Sequence, residues 1–255
     1  MKFGTENLSR GSKGPVVEEL QIRLAGFRGT VWDGDFGPGT ELQVTTFQKE
    51  YMKMADPTGV VDQDVFAALE KFSAEFPIDF NELKCPCKEC EGFGKGQLKD
   101  RYRENKGEIE GFHLYEYPGI HKAILQSYRA AQFYAKDPEF GPPFLSSGYR
   151  CHANNILKGR TSTNHMGKAL DCDFHLKEGE KKRDDGIRCD KFRGRLVEKS
   201  NFQIGWHGRN KKSLEPSHIA PTWIHMDVRS FSKKYLQEKY FVTTEQELDS
   251  NDIKD

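Results

Sequence analysis

The sequence predicts an α+β protein: a small N-terminal three-helix domain, then a larger mixed domain with a small antiparallel sheet. Apolar residues recur at helical spacing through the first part of the chain, and the period shortens to two in short pieces of the second part. Between them lies a stretch rich in Lys, Glu and Gly. The length of 255 residues suits two unequal domains. The boundaries read as 1–75 for the helical unit, 76–110 for a Cys- and Gly-rich connector, 111–242 for the mixed domain and 243–255 for an acidic tail.

In the helical unit, Pro15 follows Gly11-Ser12-Lys13-Gly14 and suits a first helical position, where its missing N–H costs nothing. Val17, Leu20 and Leu24 then share a face. The run Asp33-Gly34-Asp35-Phe36-Gly37-Pro38-Gly39 has turn chemistry, and Thr40 reads as the cap of a second helix with Val44, Phe47 and Tyr51 on one side. After Pro57-Thr58-Gly59, Asp62 reads as the cap of a third helix carrying Phe66, Leu69 and Phe72.

Composition excludes several classes of function. Lys and Arg number 39 against 39 Asp and Glu, so the chain as a whole has no cationic excess to drive counterion release, and nucleic acid is not an expected partner. Apolar runs such as Val65–Leu69 fall far short of the ~20 residues needed to span a bilayer, so no stable membrane insertion is expected. The start, Met1–Asn7, lacks the apolar run of about 7–15 residues of a secretory signal, which predicts a protein held in the cytoplasm until something releases it. The cysteines Cys85, Cys87, Cys90, Cys151, Cys172 and Cys189 then read as reduced thiols rather than a disulfide framework.

The ordered string Leu8–Gly14, Val17–Leu24, Asp33–Thr40, Phe47-Gln48 and Gly59–Asp62 resembles the three-helix peptidoglycan-binding domain of many cell-wall hydrolases. The likeness covers roughly residues 8–70. It implies peptidoglycan as the partner, with glycan or stem peptide bound near the Asp33–Thr40 loop.

In the connector, Cys85-Pro86-Cys87-Lys88-Glu89-Cys90 places three thiols within reach of one soft cation, whereas structural zinc takes four ligands. His113 or Cys151 are the candidates for the fourth. Ordinary reduced cysteines in a turn-rich connector are the simpler expectation.

The pattern Ile120, Ile124, Tyr128, Ala131 and Tyr134 predicts a helix within Pro118–Ala135. Strand-like pieces follow at Phe144–Ser146, Ala169–His175 and Trp223–Val228. Alternation puts Asp171, Asp173 and His175 on one face of the second, and His225 with Asp227 on one face of the third. His113, His121, His152 and His175 read as packed or hydrogen-bonded residues. The stretch Lys177–Lys212 is strongly basic; it reads as a solvated insertion loop, or else as a surface for anionic wall polymers or lipid. The tail Thr243–Asp255 is acidic and polar, which predicts disorder.

Two segments combine imidazole and carboxylate, the ligands of a catalytic zinc. In Asn164-His165-Met166-Gly167-Lys168-Ala169-Leu170-Asp171, the glycine and alanine allow a tight turn so that His165 and Asp171 converge; Trp223-Ile224-His225-Met226-Asp227 supplies the second imidazole.

Together with Ser146-Ser147-Gly148-Tyr149-Arg150 and Asn154 or Asn155, these residues resemble the zinc D-alanyl-D-alanine peptidases. That group includes carboxypeptidases, L-alanyl-D-glutamate endopeptidases of phage and murein endopeptidases. The likeness covers about residues 112–235. It implies zinc bound by His165, Asp171 and His225, with Arg150 on a substrate carbonyl or carboxylate. The interval between His165 and Asp171 is one residue shorter than the family's usual, which keeps Asp173 as the alternative ligand. Where the family carries its general base, this chain has Thr222 and Trp223. Asp227, His207 and His218 are the remaining candidates, in that order.

The expectation is a monomeric, modular peptidoglycan hydrolase that cuts a peptide bond of the murein stem or cross-link with zinc-activated water, in the manner of a phage endolysin reaching the wall from the host cytoplasm during lysis. The alternatives are a D,D-carboxypeptidase that trims terminal D-Ala and a catalytically inactive wall-binding or virion protein.

Overall fold

A computed structural model describes residues 1–28, 32–98, 115–160, 164–200, 202–204, 213–228 and 231–253. His113 and His207 lie outside the described residues. The fold is α+β: helices at the N-terminus, then a mixed region with small sheets.

The N-terminal helices are α1 (Pro15–Arg23), α2 (Pro38–Glu50) and α3 (Gln63–Glu75). Pro15 opens α1 as expected, after Gly14 at φ 107°. Asp62 caps α3 by accepting from the Val65 amide at 3.1 Å. Thr40 does not cap α2, which begins two residues earlier behind Gly37. Thr40 lies inside the helix, and its hydroxyl accepts from Gln21 Nε2 at 2.8 Å. Gln21 also donates to Asp33 Oδ1 at 2.9 Å and accepts from the Gly34 amide at 2.9 Å, so a buried side chain of α1 shapes the Asp33–Thr40 loop. Val17, Leu20, Leu24, Val44, Phe47, Phe66, Leu69 and Phe72 are buried as the spacing predicts.

The described residues of the connector hold the short helix α4 (Phe80–Leu83) and one short strand, β1 (Gln97–Leu98), paired with β2 (Tyr115–Glu116). After β3 (Ile120–His121) comes α5 (Lys122–Tyr134), inside the window the spacing marks out. The remaining elements are β4 (Pro143–Ser147), α6 (His152–Leu157), β5 (Ala169–Phe174), α7 (Lys182–Lys199), β6 (Gln203–Ile204), β7 (Ser213–Leu214), β8 (Ile224–Asp227), β9 (Phe241–Val242) and α8 (Glu245–Leu248). The main sheet runs β4-β5-β8-β7-β6; its pairs are antiparallel except β6 with β7, which is parallel. All three expected strand pieces belong to it. Both β5 and β8 are buried along their whole length.

One apolar core joins the N-terminal helices to the mixed region. A Cβ on Gly26 would lie 2.1 Å from that of Ala130, so only glycine permits this approach of the segment after α1 to α5. Buried Glu19 of α1 adds ion pairs to Lys122 of α5 at 2.6 Å and to Arg23 at 2.9 Å.

Two expectations are corrected. The basic stretch is not a solvated loop through Lys182–Lys199: α7 buries Cys189, Phe192 and Leu196, and its arginines Arg188 and Arg193 are buried too. Arg193 donates to the carbonyls of Ala220 and Trp223, holding the turn that enters β8. Nor are residues 243–253 disordered. Thr244 caps α8, Leu248 is buried, and Arg129 of α5 donates to Glu245 at 2.9 Å and to Asp249 Oδ2 at 2.6 Å. Arg129 is fully buried, so the acidic residues dock on a cation that needs them.

Candidate metal centre

The antiparallel register of β5 and β8 sets Asp171 directly opposite His225. His165 arrives from the turn before β5. That turn needs Gly167 at φ 103°, where a Cβ would lie 2.6 Å from the Gly119 carbonyl oxygen. Its backbone is pinned by His121 N–H donating to Gly167 O at 3.0 Å and Val228 N–H donating to Lys168 O at 3.0 Å.

The three side chains are buried and their ligand atoms lie within 4.8 Å of one another. Asp171 Oδ1 is 3.3 Å from His165 Nε2 and 2.7 Å from His225 Nδ1. Every other polar atom of the trio is held from behind. His165 Nδ1 donates to the Gly148 carbonyl at 2.8 Å, Asp171 Oδ2 accepts from Arg150 at 2.9 Å, and His225 Nε2 lies 2.9 Å from Asp227 Oδ2. Outer partners that fix the tautomer and direction of each side chain in this way are what a group able to hold a metal ion needs. Tetrahedral zinc with bonds of about 2.0–2.2 Å separates its N and O ligands by roughly 3.3–3.5 Å. The His165–Asp171 spacing matches, and a shift of about half an ångström opens His225–Asp171. The donor set therefore fits zinc.

The three groups are electrostatically coupled. Burial opposes charge on Asp171, but His165 and His225 on either side hold its carboxyl well below the usual range. Burial lowers the His165 pKa. It acts the same way on His225, but hydrogen bonds to Asp171 and Asp227 outweigh it and push that pKa up to about 10.

Of the two aspartates on β5, Asp171 faces the histidines. Asp173 is engaged elsewhere: Lys182 Nζ bridges it at 2.6 Å to Asp185 at 2.7 Å. Arg150 is held in place by donating to Asp171 and, through Nε, to Ser147 Oγ at 2.9 Å. Asp227 stands behind the His225 ring, 2.9 Å from Nε2, the nitrogen remote from Asp171. His218 is exposed on the loop before β8.

Sequence reasoning missed two contributors. The Gly148 carbonyl is a backbone group with no residue-type signal. Glu215, buried just after β7, has Oε1 3.7 Å from His225 Nε2, and its field reaches Arg150. It lies ten positions before His225, too far for a local motif. A lone carboxylate before Pro216, at a strand end, was its one visible signal.

The Asp33–Thr40 loop borders a depression with Arg10, Gly11 and Lys13, and Lys13 pairs with Asp35 at 2.9 Å. Residues 13–69 match the family described as "Putative peptidoglycan binding domain". The N-terminal helices thus form a peptidoglycan-binding domain, which supports peptidoglycan as the partner. A curated relative, the zinc D-Ala-D-Ala carboxypeptidase of Streptomyces albus G, is 49% identical over 53 residues, 19% of this chain and 21% of that protein. The chain thus spans about a fifth of that relative's length, and the shared part lies in the peptidoglycan-binding region. Among the described residues no helix is long and apolar enough to cross a membrane.

Proposed function

We propose that the chain is a zinc peptidase of the bacterial wall, with His165, Asp171 and His225 as the metal ligands. The observation that carries this reading is the convergence of two imidazoles and a carboxylate, each held by a separate outer partner, in a chain that also has a peptidoglycan-binding domain.

Zinc in this site would supply Lewis-acid polarisation of a scissile carbonyl and a water of lowered pKa. The protein's own groups do the rest. Gly148 and Asp227 fix the two imidazoles, and Arg150 fixes Asp171. Glu215 shares the Nε2 side of His225 with Asp227 but stands at 3.7 Å against 2.9 Å, so of these two buried carboxylates it is the one less closely held by the ring and the one proposed to take the proton from water and return it to the leaving amine. Arg150 keeps 19% side-chain exposure, enough to add an electrostatic contact to a substrate oxygen while holding Asp171. The peptidoglycan-binding domain raises the local concentration of an insoluble substrate by tethering.

The bond cut is a peptide bond in the murein stem or cross-link. The finer form of the reading is a phage endolysin acting on the wall during host lysis, as a monomer. The test is release of soluble peptide from purified sacculi, with and without a chelator and with zinc restored. Chelator-sensitive release that zinc restores supports the reading; binding without release in every condition would leave a wall-binding protein and overturn it. The name of the curated relative favours a second reading, trimming of a terminal D-Ala. Trimming frees alanine and leaves the sacculus intact, so the same assay separates the two.

A further inference from the structure

The connector cysteines form a second cluster, remote in chemistry from the first. Cys85, Cys87 and Cys90 meet Cys151, which comes from the residue before α6, and the four sulfurs lie within 4.8 Å of one another. Cys87 Sγ is 3.5 Å from Cys90 Sγ and 3.3 Å from Cys151 Sγ. All four are free thiols rather than disulfides, which need about 2.0 Å between sulfurs. Four thiolates around zinc, each about 2.3 Å from the metal, stand about 3.8 Å apart. The observed spacings fall close to that geometry and far from that of a bridge.

The surrounding backbone is built to serve sulfur as an acceptor. Amides of Cys151, Gly92 and Asn154 donate to the sulfurs of Cys85, Cys90 and Cys151, each at 3.4 Å. Cys85 N–H closes the loop on Gly92 O at 2.8 Å. Gly92 turns there at φ 108°, where a Cβ would meet Lys84 Cγ at 2.7 Å. Such N–H···S bonds oppose the burial that raises the Cys90 and Cys151 thiols, and the thiolate is the metal-binding form. Of the two candidates for a fourth ligand, the structure brings Cys151 to the group.

We infer that Cys85, Cys87, Cys90 and Cys151 bind a structural zinc ion that clamps the connector to the turn carrying Arg150. A closed four-sulfur set leaves no position for water, so the ion is structural rather than catalytic. Its binding displaces the thiol protons, and its free energy adds to folding. The clamp acts on a segment that braces the other centre. Tyr149 N–H donates to Leu83 O at 2.7 Å, the Gly148 carbonyl holds His165, and Arg150 holds Asp171. Without the ion, the Gly148–Cys151 turn loses its anchor to the connector.

The test is metal content of the full-length protein purified without chelating steps, for the natural sequence, a His165→Ala/His225→Ala variant and a Cys87→Ser/Cys151→Ser variant. The inference expects the His variant to keep one zinc per chain, bound through sulfur. The Cys variant should lose that zinc, and its His165–His225 centre should bind zinc about tenfold more weakly. Because unfolding of the Cys variant would also release zinc, the His variant is in addition loaded with cobalt, whose thiolate charge-transfer absorption reports sulfur ligation in the otherwise intact chain. A His variant with no metal and no such absorption overturns the inference, as does a natural protein whose four thiols titrate as disulfides. Loss of zinc from the His165–His225 centre alone would count against the proposed peptidase and leave this site standing.

Discussion

Arg150 and Asp171 share a 2.9 Å charge-assisted hydrogen bond, and it uses the carboxylate oxygen that faces away from the two histidines. The guanidinium thereby fixes which oxygen of Asp171 is presented to a metal. Arg150→Met should weaken zinc binding about 10–100-fold, the cost usual for removing an outer partner. Competition titration against a chromophoric chelator checks this; unchanged affinity would confine Arg150 to substrate contact.

The two carboxylates near His225 should separate by phenotype. Asp227→Asn leaves the ring without its acceptor and should lower zinc affinity about 10–100-fold. Glu215→Gln should keep zinc and lose about 10²–10⁴-fold in the rate of peptide release. Metal content and initial rates on sacculi measure the two effects, and the reverse pattern would make Asp227 the base.

Stability should fall on mild acidification because of His121. Burial pushes its pKa down to about 4, with one ring nitrogen accepting from the Ala123 amide at 3.2 Å and the other bonded to the Tyr235 carbonyl at 2.9 Å. The folded chain keeps this imidazole neutral while the unfolded chain protonates below about 6.5, so unfolding takes up a proton between those values. Stability is retained above pH 6.5 and lost as pH falls towards 4, by about 3 kcal/mol from this group at most. Urea unfolding at pH 7.5 and pH 5 checks it: His121→Gln, though less stable at pH 7.5, should show a flatter dependence.

Arg129 ties α5 to the C-terminal residues through Glu245 and Asp249, and it also donates to the Phe76 carbonyl at 3.1 Å. Arg129→Met should cost about 3–5 kcal/mol, the range for breaking a buried ion pair. It should also expose residues 243–253 to limited proteolysis. Guanidinium unfolding and mapping of the cleavage sites test both; a variant as stable and as resistant as the natural chain would contradict the clamp.

Local signals were legible in the sequence where the chemistry is local. Pro15 and Asp62 start their helices because a missing N–H and a short carboxylate act on the very next turn. Asp171 and His225 could be placed on strands because alternation is a two-residue property, and the register then sets them opposite each other. What failed depends on distant partners. Thr40 looks like a cap until Gln21, nineteen residues away in sequence, takes its hydroxyl. Arg188 and Arg193 read as part of a solvated loop because composition does not show the carbonyls and carboxylates that receive them inside the fold. Cys151 could be named beside His113 as a partner for the connector cysteines, but only the packing of the turn after β4 against the connector brings its sulfur to them.

The most direct test of the central claim is mass spectrometry of fragments released from sacculi by the natural protein, by His165→Ala and by His225→Ala. A zinc peptidase leaves new amino and carboxyl termini within the stem or cross-link, and both variants leave none. New sugar ends, or equal release by the variants, would contradict a hydrolytic centre at His165, Asp171 and His225.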